Sequence, residues 1–433
     1  MISLKILSFR DFSTKERFFL YITFFYIVVN IFPLFTDIIH VPTFVPALFV
    51  SLLLGIAYFN ILFSKPMKWF IAYVFILVFY NLIGLKFHIN GLSTDLPGFY
   101  KIIIETAWIL PSLMISIILQ KSNNFRLYKY IGNGAIILLI SSFIYVLPMI
   151  MANANYLRMD FDASGITRPL GMPGYTLMHA YALLFPALCY WSKISKGIKK
   201  FITLGITALF AYLIIRTSIT TSLFVISFCI IVTMAYNPYY QTKSLFRFGV
   251  IGLLMLLFYY SGMLQNIIEE LMPFFEDTAV SEKLTDIRDS LIQGEVTGGT
   301  LTVRDNLHQE SINNFFSNPI IGMGYAGRHS KILDILGSSG LLVFVPFIMM
   351  IWTFTKEKAH WCSDKYYKFF IYFSIFISFI YLYQKGIFGA EGWLFTFVIT
   401  PCVITSVYLN SKSIYKRNTS YYENTTYHSR RVE

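Results

Sequence analysis

Arg304, the tripeptide Arg328-His329-Ser330, Arg168 and Arg216 are the residues of this chain whose types and settings could do chemistry. Arg168 stands in Thr167-Arg168-Pro169-Leu170-Gly171-Met172-Pro173-Gly174, where Pro and Gly shape a turn ahead of an apolar run. Arg216 closes another apolar run in Ile215-Arg216-Thr217-Ser218. Arg304 and His329 lie in a polar stretch from Met263 to Asp334, inside a chain that is otherwise almost wholly apolar. A guanidinium offers a rigid fork of donors matched to phosphate oxygens. An imidazole titrates near neutrality and can take or give a proton. Together these groups suit work on an anionic substrate. Gathered at a lipid–water boundary, they would suit a lipid-linked diphosphate, with its tail in the bilayer and its head group at the loop.

Each residue also has a plainer reading. An arginine at a helix end is often an anchor that snorkels to the interface, which applies most directly to Arg216. His329 can be a polar loop residue, and Arg328 can face solvent. His179, one turn inside an apolar run, can line a cavity, but packing is the favoured reading. Lys385 and Glu391 can pair with each other or face the same cavity.

The elements that must position these groups follow from composition. The 433 residues are 56% hydrophobic and 18% aromatic, and only 13% are charged, about half the share usual in a soluble domain. Mean hydropathy is +0.60. Continuous apolar runs recur along the chain, each long enough to cross a bilayer as a helix, and they do not alternate as barrel strands would. The expected spans are 18–36, 42–63, 67–85, 101–119, 131–151, 174–191, 200–215, 218–235, 247–263, 335–354, 367–384 and 387–409. The fold class is thus an all-α polytopic membrane protein of about 12 transmembrane helices, with one long loop between helices 9 and 10. Its parts are helices 1–9 in residues 1–263, the extracytoplasmic loop 264–334, helices 10–12 in 335–410 and a polar, disordered tail 411–433.

The formal charge of +12 would point to nucleic acid in a soluble domain. Here it reflects topology, because Lys and Arg accumulate in cytoplasmic loops. One set of connections, with both termini, carries roughly twice as many Lys and Arg as the other. That side is expected to be cytoplasmic, which places the long loop and Arg168 outside. Within the loop, Leu264, Ile267, Ile268 and Leu271 recur at helical spacing, as in an interfacial helix. Acidic residues from Glu269 to Asp289 give that half a solvated face, and Gly294–Thr300 reads as a flexible connection. The first apolar run lacks a cleavage site after it and is expected to remain as an anchor. The four cysteines have no metal-ligand spacing and no disulfide pattern.

The segment Arg304-Asp305-Asn306-Leu307, followed by Phe315-Phe316-Ser317-Asn318-Pro319-Ile320-Ile321-Gly322-Met323-Gly324-Tyr325, resembles the long periplasmic loop of the O-antigen polymerase and ligase superfamily (Wzy and WaaL types). His329-Ser330, with Gly340 further on, is similar to that family's His-[Asn/Ser] element leading into a helix. Arg168-Pro169-Leu170-Gly171 is similar to its Arg-x-x-Gly element. Order, spacing and expected side of the membrane agree over residues 165–345. The chain departs from the pattern at Val343, where a second Gly is expected. It also lacks the family's Ser-Arg pair in that form, Arg216-Thr217-Ser218 being the nearest match.

The resemblance implies a GT-C-like, metal-independent inverting glycosyltransferase with no cofactor. It would act at the outer face of the bacterial cytoplasmic (inner) membrane. The donor would be an oligosaccharide on undecaprenyl diphosphate, and the product a surface polysaccharide, O antigen or capsule. His329 and Arg304 would be catalytic, and Arg168, Arg216 and Arg328 would bind substrate. Membrane lipid and a chain-length regulator are the other implied partners. Polymerase is favoured. A ligase would transfer the polymer to lipid A core instead, and a polysaccharide flippase is the alternative from another class. A flippase would carry charges within its helices near the midplane and use short outer loops, whereas this sequence shows few such charges and one long loop.

Overall fold

The computed structural model describes residues 12–411 apart from 33–41, 43, 90–91, 93–95, 123, 153–174, 218–219, 262, 276–280, 282–283, 286, 290–291, 293–298 and 385–387. Arg168, Lys385, most of the acidic run after Phe275 and the tail from Lys412 lie outside the described residues. Among the described residues all regular structure is helical: α1 (Thr14–Ile31), α2 (Phe44–Ala57), α3 (Lys65–Leu82), α4 (Gly98–Lys121), α5 (Phe125–Ala152), α6 (Tyr175–Ile194), α7 (Ile198–Arg216), α8 (Thr220–Ala235), α9 (Gln241–Tyr260), α10 (Met263–Leu271), α11 (Gly299–Ser317), α12 (Lys331–His360), α13 (Lys365–Gln384) and α14 (Ala390–Ser411). Six of them are long and apolar enough to cross a membrane: α4, α5, α7, α12, α13 and α14. α2 and α8 are shorter apolar helices.

The exposed surface says what surrounds this bundle. Val45, Phe49, Leu52 and Ile56 on α2, and Ile71, Phe75, Phe79 and Leu82 on α3, are exposed at helical spacing. Stripes of that kind are an aggregation hazard in water and ordinary against lipid. The protein is a membrane-embedded helical bundle. α14 and α4 form its centre, with 89% and 78% of their most apolar windows buried, against 22% for the peripheral α7. α12 packs along α3, α11 and α13, and α6 packs against α7, α8 and α13. The four cysteines are buried free thiols.

α10 forms at the amphipathic segment, with Ile268 buried. The expected flexible connection is corrected at its end. Gly299 and Thr300 already belong to α11, and 294–298 lie outside the described residues. α11 mixes polar and apolar residues and packs on α12, with Ser311 and Asn314 buried and Ser311 bonded to Asp334 of α12. It stops at Ser317 because Asn318 precedes Pro319, and the residue before a proline is pushed out of helical geometry.

α12 is broken at Gly340, whose φ of 63° and ψ of −168° are non-helical. The break frees backbone groups that lipid cannot solvate, and the segment after α11 takes them up. Met323 N–H donates to Gly337 O (2.9 Å), and Gly324 N–H donates to Ser338 O (2.9 Å). Leu341 N–H donates to Pro319 O (2.8 Å), and Leu342 N–H donates to Ile320 O (3.1 Å). The Tyr80 hydroxyl donates to Ser339 O (3.1 Å). The Asn-Pro-Ile-Ile-Gly-Met-Gly run is thus a backbone splint for a discontinuous helix. Its residue types meet a packing requirement.

Candidate functional site

The first turn of α12 organises the polar end of the bundle. Ser330 caps the helix, its hydroxyl accepting from Leu333 N–H (3.2 Å). Asp334 holds the preceding loop in place. Its Oδ1 accepts from the Ser311 hydroxyl (2.6 Å) and Arg328 N–H (3.2 Å), and its Oδ2 from Ser330 N–H (3.0 Å). The same Ser311 Oγ accepts from Gly327 N–H (2.9 Å), and Asn314 Nδ2 donates to Tyr325 O (3.2 Å). A carboxylate bonded at both oxygens clamps α11, the loop and α12 together. Arg328 and His329 are thereby fixed at the mouth of the helix. Arg328 sits at φ 65°, an uncommon conformation for a side-chain-bearing residue, and is exposed.

His329 meets a second histidine that the sequence reading passed over. His308 lies on α11, one helical turn after Arg304 and so on the same face. The His308 and His329 rings are 5.7 Å apart between centroids, and Tyr383, at the end of α13, lies 5.4 Å from His308. Arg304 is half-buried and is electrostatically coupled to His308. Burial pushes the His308 pKa below the usual 6.5, Asp334 and Asp305 pull it back, and Arg304 adds to the lowering. The spacing of Arg304 and His308 was the available signal. It was missed because a lone histidine on a polar helix has no distinguishing neighbours in sequence.

A basic cluster adjoins these residues. His88, in the connection between α3 and α4, is 8% exposed and faces Arg328, Lys101 and Lys331. Burial first, and then these three cations, push its pKa down to about 4 from 6.5. The unfolded chain therefore binds the proton first as pH falls. Stability present above about pH 6.5 should be lost as pH drops towards 4. His88→Gln should flatten that part of the profile of melting temperature against pH. Identical profiles for the two proteins would refute the assignment.

The sequence reading found few charges inside helices, and the structure qualifies that. Lys101 and Glu105 lie in α4 and are buried, and Glu105 pairs with the buried Lys331 at the start of α12 (2.7 Å to Oε1, 2.9 Å to Oε2). The Tyr73 hydroxyl donates to Glu105 Oε1 (3.2 Å).

Of the residues singled out from sequence, Arg304, Arg328 and His329 are brought to one end of the bundle around α12. Arg216 is the exposed last residue of α7, a helix packed on α5, α6 and α8, and no described contact joins it to that group. His179 of α6 is half-buried, with Nδ1 3.2 Å from Ser222 Oγ and its ring 5.2 Å from that of Tyr381. Ser222 Oγ also lies 2.8 Å from the Tyr381 hydroxyl. His179 is thus a packed polar residue between α6, α8 and α13. Compared with models of known protein families and with curated proteins, the chain matches none.

Proposed function

We propose that this protein is a polymerase that joins undecaprenyl-diphosphate-linked oligosaccharide repeat units into a surface polysaccharide, O antigen or capsule. In this reading the chain spans the bacterial cytoplasmic membrane about 12 times with both termini inside. Residues 264–334 form a periplasmic cap. An acceptor hydroxyl attacks the anomeric carbon with inversion, and the lipid diphosphate leaves without help from a metal. Arg304, Arg328 and Arg168 hold diphosphate or donor saccharide, with Arg216 a further contact. His329 takes or orients the hydroxyl proton, and the fixed guanidinium charge stabilises the departing diphosphate. Besides lipid, a chain-length regulator is the expected partner.

The observation that supports this most is the pair His308 and His329, with Arg304 one turn before His308 on the same helix, beside the first turn of the discontinuous α12 in an apolar bundle. The test is complementation of a deletion strain with wild type, Arg304→Ala and His329→Ala at matched protein levels. Arg304→Ala should lose about 10²–10³-fold in transfer, and His329→Ala about 10²–10⁴-fold. Surface glycan should collapse to single repeat units. Free polymer left on its carrier lipid would identify a ligase instead. Full rescue by both variants would sink the reading.

The Lys331–Glu105 pair supports a second reading. A buried ion pair among apolar helices is also what an ion-coupled polysaccharide transporter would carry. In that case loss of the protein leaves single units stranded on the cytoplasmic face.

A further inference from the structure

Two imidazoles lie side by side at the end of the bundle, and only His329 belongs to a sequence element with an implied role. His308 comes from α11, His329 from the loop before α12 and Tyr383 from α13, so three separate elements bring titratable rings together. Nε2 of His308 is buried and makes no hydrogen bond among the described residues. Leaving a buried polar nitrogen unsatisfied costs stability. Packing alone would be served as well by a phenyl ring.

The groups facing His308 are Arg304 and Asp305 from its own helix, His329 and Asp334 from the loop and α12, and Tyr383 from α13. Asp334 is committed to Ser311, Arg328 N–H and Ser330 N–H. Two imidazolium cations this close repel each other, and Arg304 adds to that repulsion.

We propose that His308 and His329 act as a two-histidine unit that carries a single proton, with His308 the positioning residue through which His329 is tuned. This rests on the transferase reading above. Before the step both rings are neutral and His329 offers a lone pair to the acceptor hydroxyl; after it the unit carries the one proton, whose charge faces the departing diphosphate. In the step, the hydroxyl proton passes to the neutral imidazole of His329. The oxygen forms the new bond to the anomeric carbon. The old bond from that carbon to the phosphate oxygen breaks, and its electron pair leaves with the lipid diphosphate. The proton is then released to water. His308 stays neutral over the working range because burial opposes its charged form.

The experiment uses the full chain in nanodiscs, with histidines isotopically labelled and titrated by NMR, in wild type, His308→Gln and His329→Gln. Glutamine keeps a polar group and similar volume, and melting temperature checks that each variant folds. In wild type the two signals should titrate as a coupled pair in two steps. In His308→Gln, His329 should titrate as a single site, protonating at lower pH because the neutral imidazole that supports its cation is gone. In the transfer assay, His308→Gln should lower the rate by about 10²-fold, the low end for a positioned acid–base group, and move the acid limb of the pH–rate profile in the same direction. An unchanged His329 titration would overturn the proposal. So would wild-type rate and pH profile in His308→Gln. If wild type itself transfers nothing from a lipid-linked donor, the transferase reading falls, while the titration still decides whether the two rings share a proton. Should His308→Gln melt early, His308→Asn serves for the same titration.

Discussion

Lys331→Met should lower stability by about 3–5 kcal/mol, because it strands the Glu105 carboxylate in an apolar interior. Glu105 is 1% exposed and Lys331 2%. The ammonium bridges both carboxylate oxygens, and the rings of Trp108 and Trp393 lie 5.8 and 5.9 Å from it. In the variant the carboxylate must either stay charged without the Lys331 cation, held by the Tyr73 hydroxyl, or pick up a proton. Glu105→Gln should cost less, because a neutral amide can keep the Tyr73 contact. The double variant Glu105→Leu with Lys331→Met should recover most of the loss, since replacing both partners by apolar groups removes the desolvation cost together with the attraction. Melting in detergent, followed by size-exclusion of the surviving fraction, gives the three values. Equal losses in the single and double variants would mean that the two residues do not stabilise each other.

Gly340→Ala should be at least as damaging. A Cβ on Gly340 would be driven into the backbone of Ile320 and lie 2.7 Å from Ile321 N, and one on Gly322 would be driven into the backbone of Ser338 and Ser339. Neither clash can be relieved by turning a side chain, because the opposing atoms are main chain. The backbone angles at Gly340 cost a further ~1–3 kcal/mol for any residue with a Cβ. Separating the two segments would also break the hydrogen bonds that close the helix break, at ~1–3 kcal/mol for each buried group left unpaired. Gly340→Ala and Gly322→Ala should therefore fail to accumulate as monodisperse protein. Gly205→Ala, on α7 with open space around it, should behave as wild type. Normal yield and melting of Gly340→Ala would show that the break is not required.

These two sites also show what sequence could and could not convey. That the chain is a helical membrane protein was legible from continuous apolar runs, because the lipid imposes one solution on the backbone. α10 was legible from the spacing of Leu264, Ile267, Ile268 and Leu271. The Lys331–Glu105 pair was not, because 226 positions separate the partners and each reads alone as a charge near a helix end. Gly340 was noted as a spaced glycine, yet nothing in its neighbours says that the helix is interrupted there. That fact resides in the matching run Pro319–Gly324. His308 stood one turn from Arg304 in plain view, but its meeting with His329 depends on the clamp that Asp334 and Ser311 form. Arg216 was singled out by its place at a helix end, and it remains exposed at that end.

The splinted break in α12 has a consequence for how the protein is made. A helix interrupted in this way cannot enter the membrane alone, because carbonyls and amides at Gly337–Leu342 would meet hydrocarbon unpaired, at several kcal/mol each. The chain that satisfies most of them, Pro319–Gly324, lies just upstream and is synthesised first. Little entropy is needed to close so short a loop. The splint and the helix therefore form a local hairpin that assembles as the ribosome releases it. α3 then adds the Tyr80 hydroxyl from a helix already in place. The order of synthesis ensures that each partner is present before the group that needs it arrives.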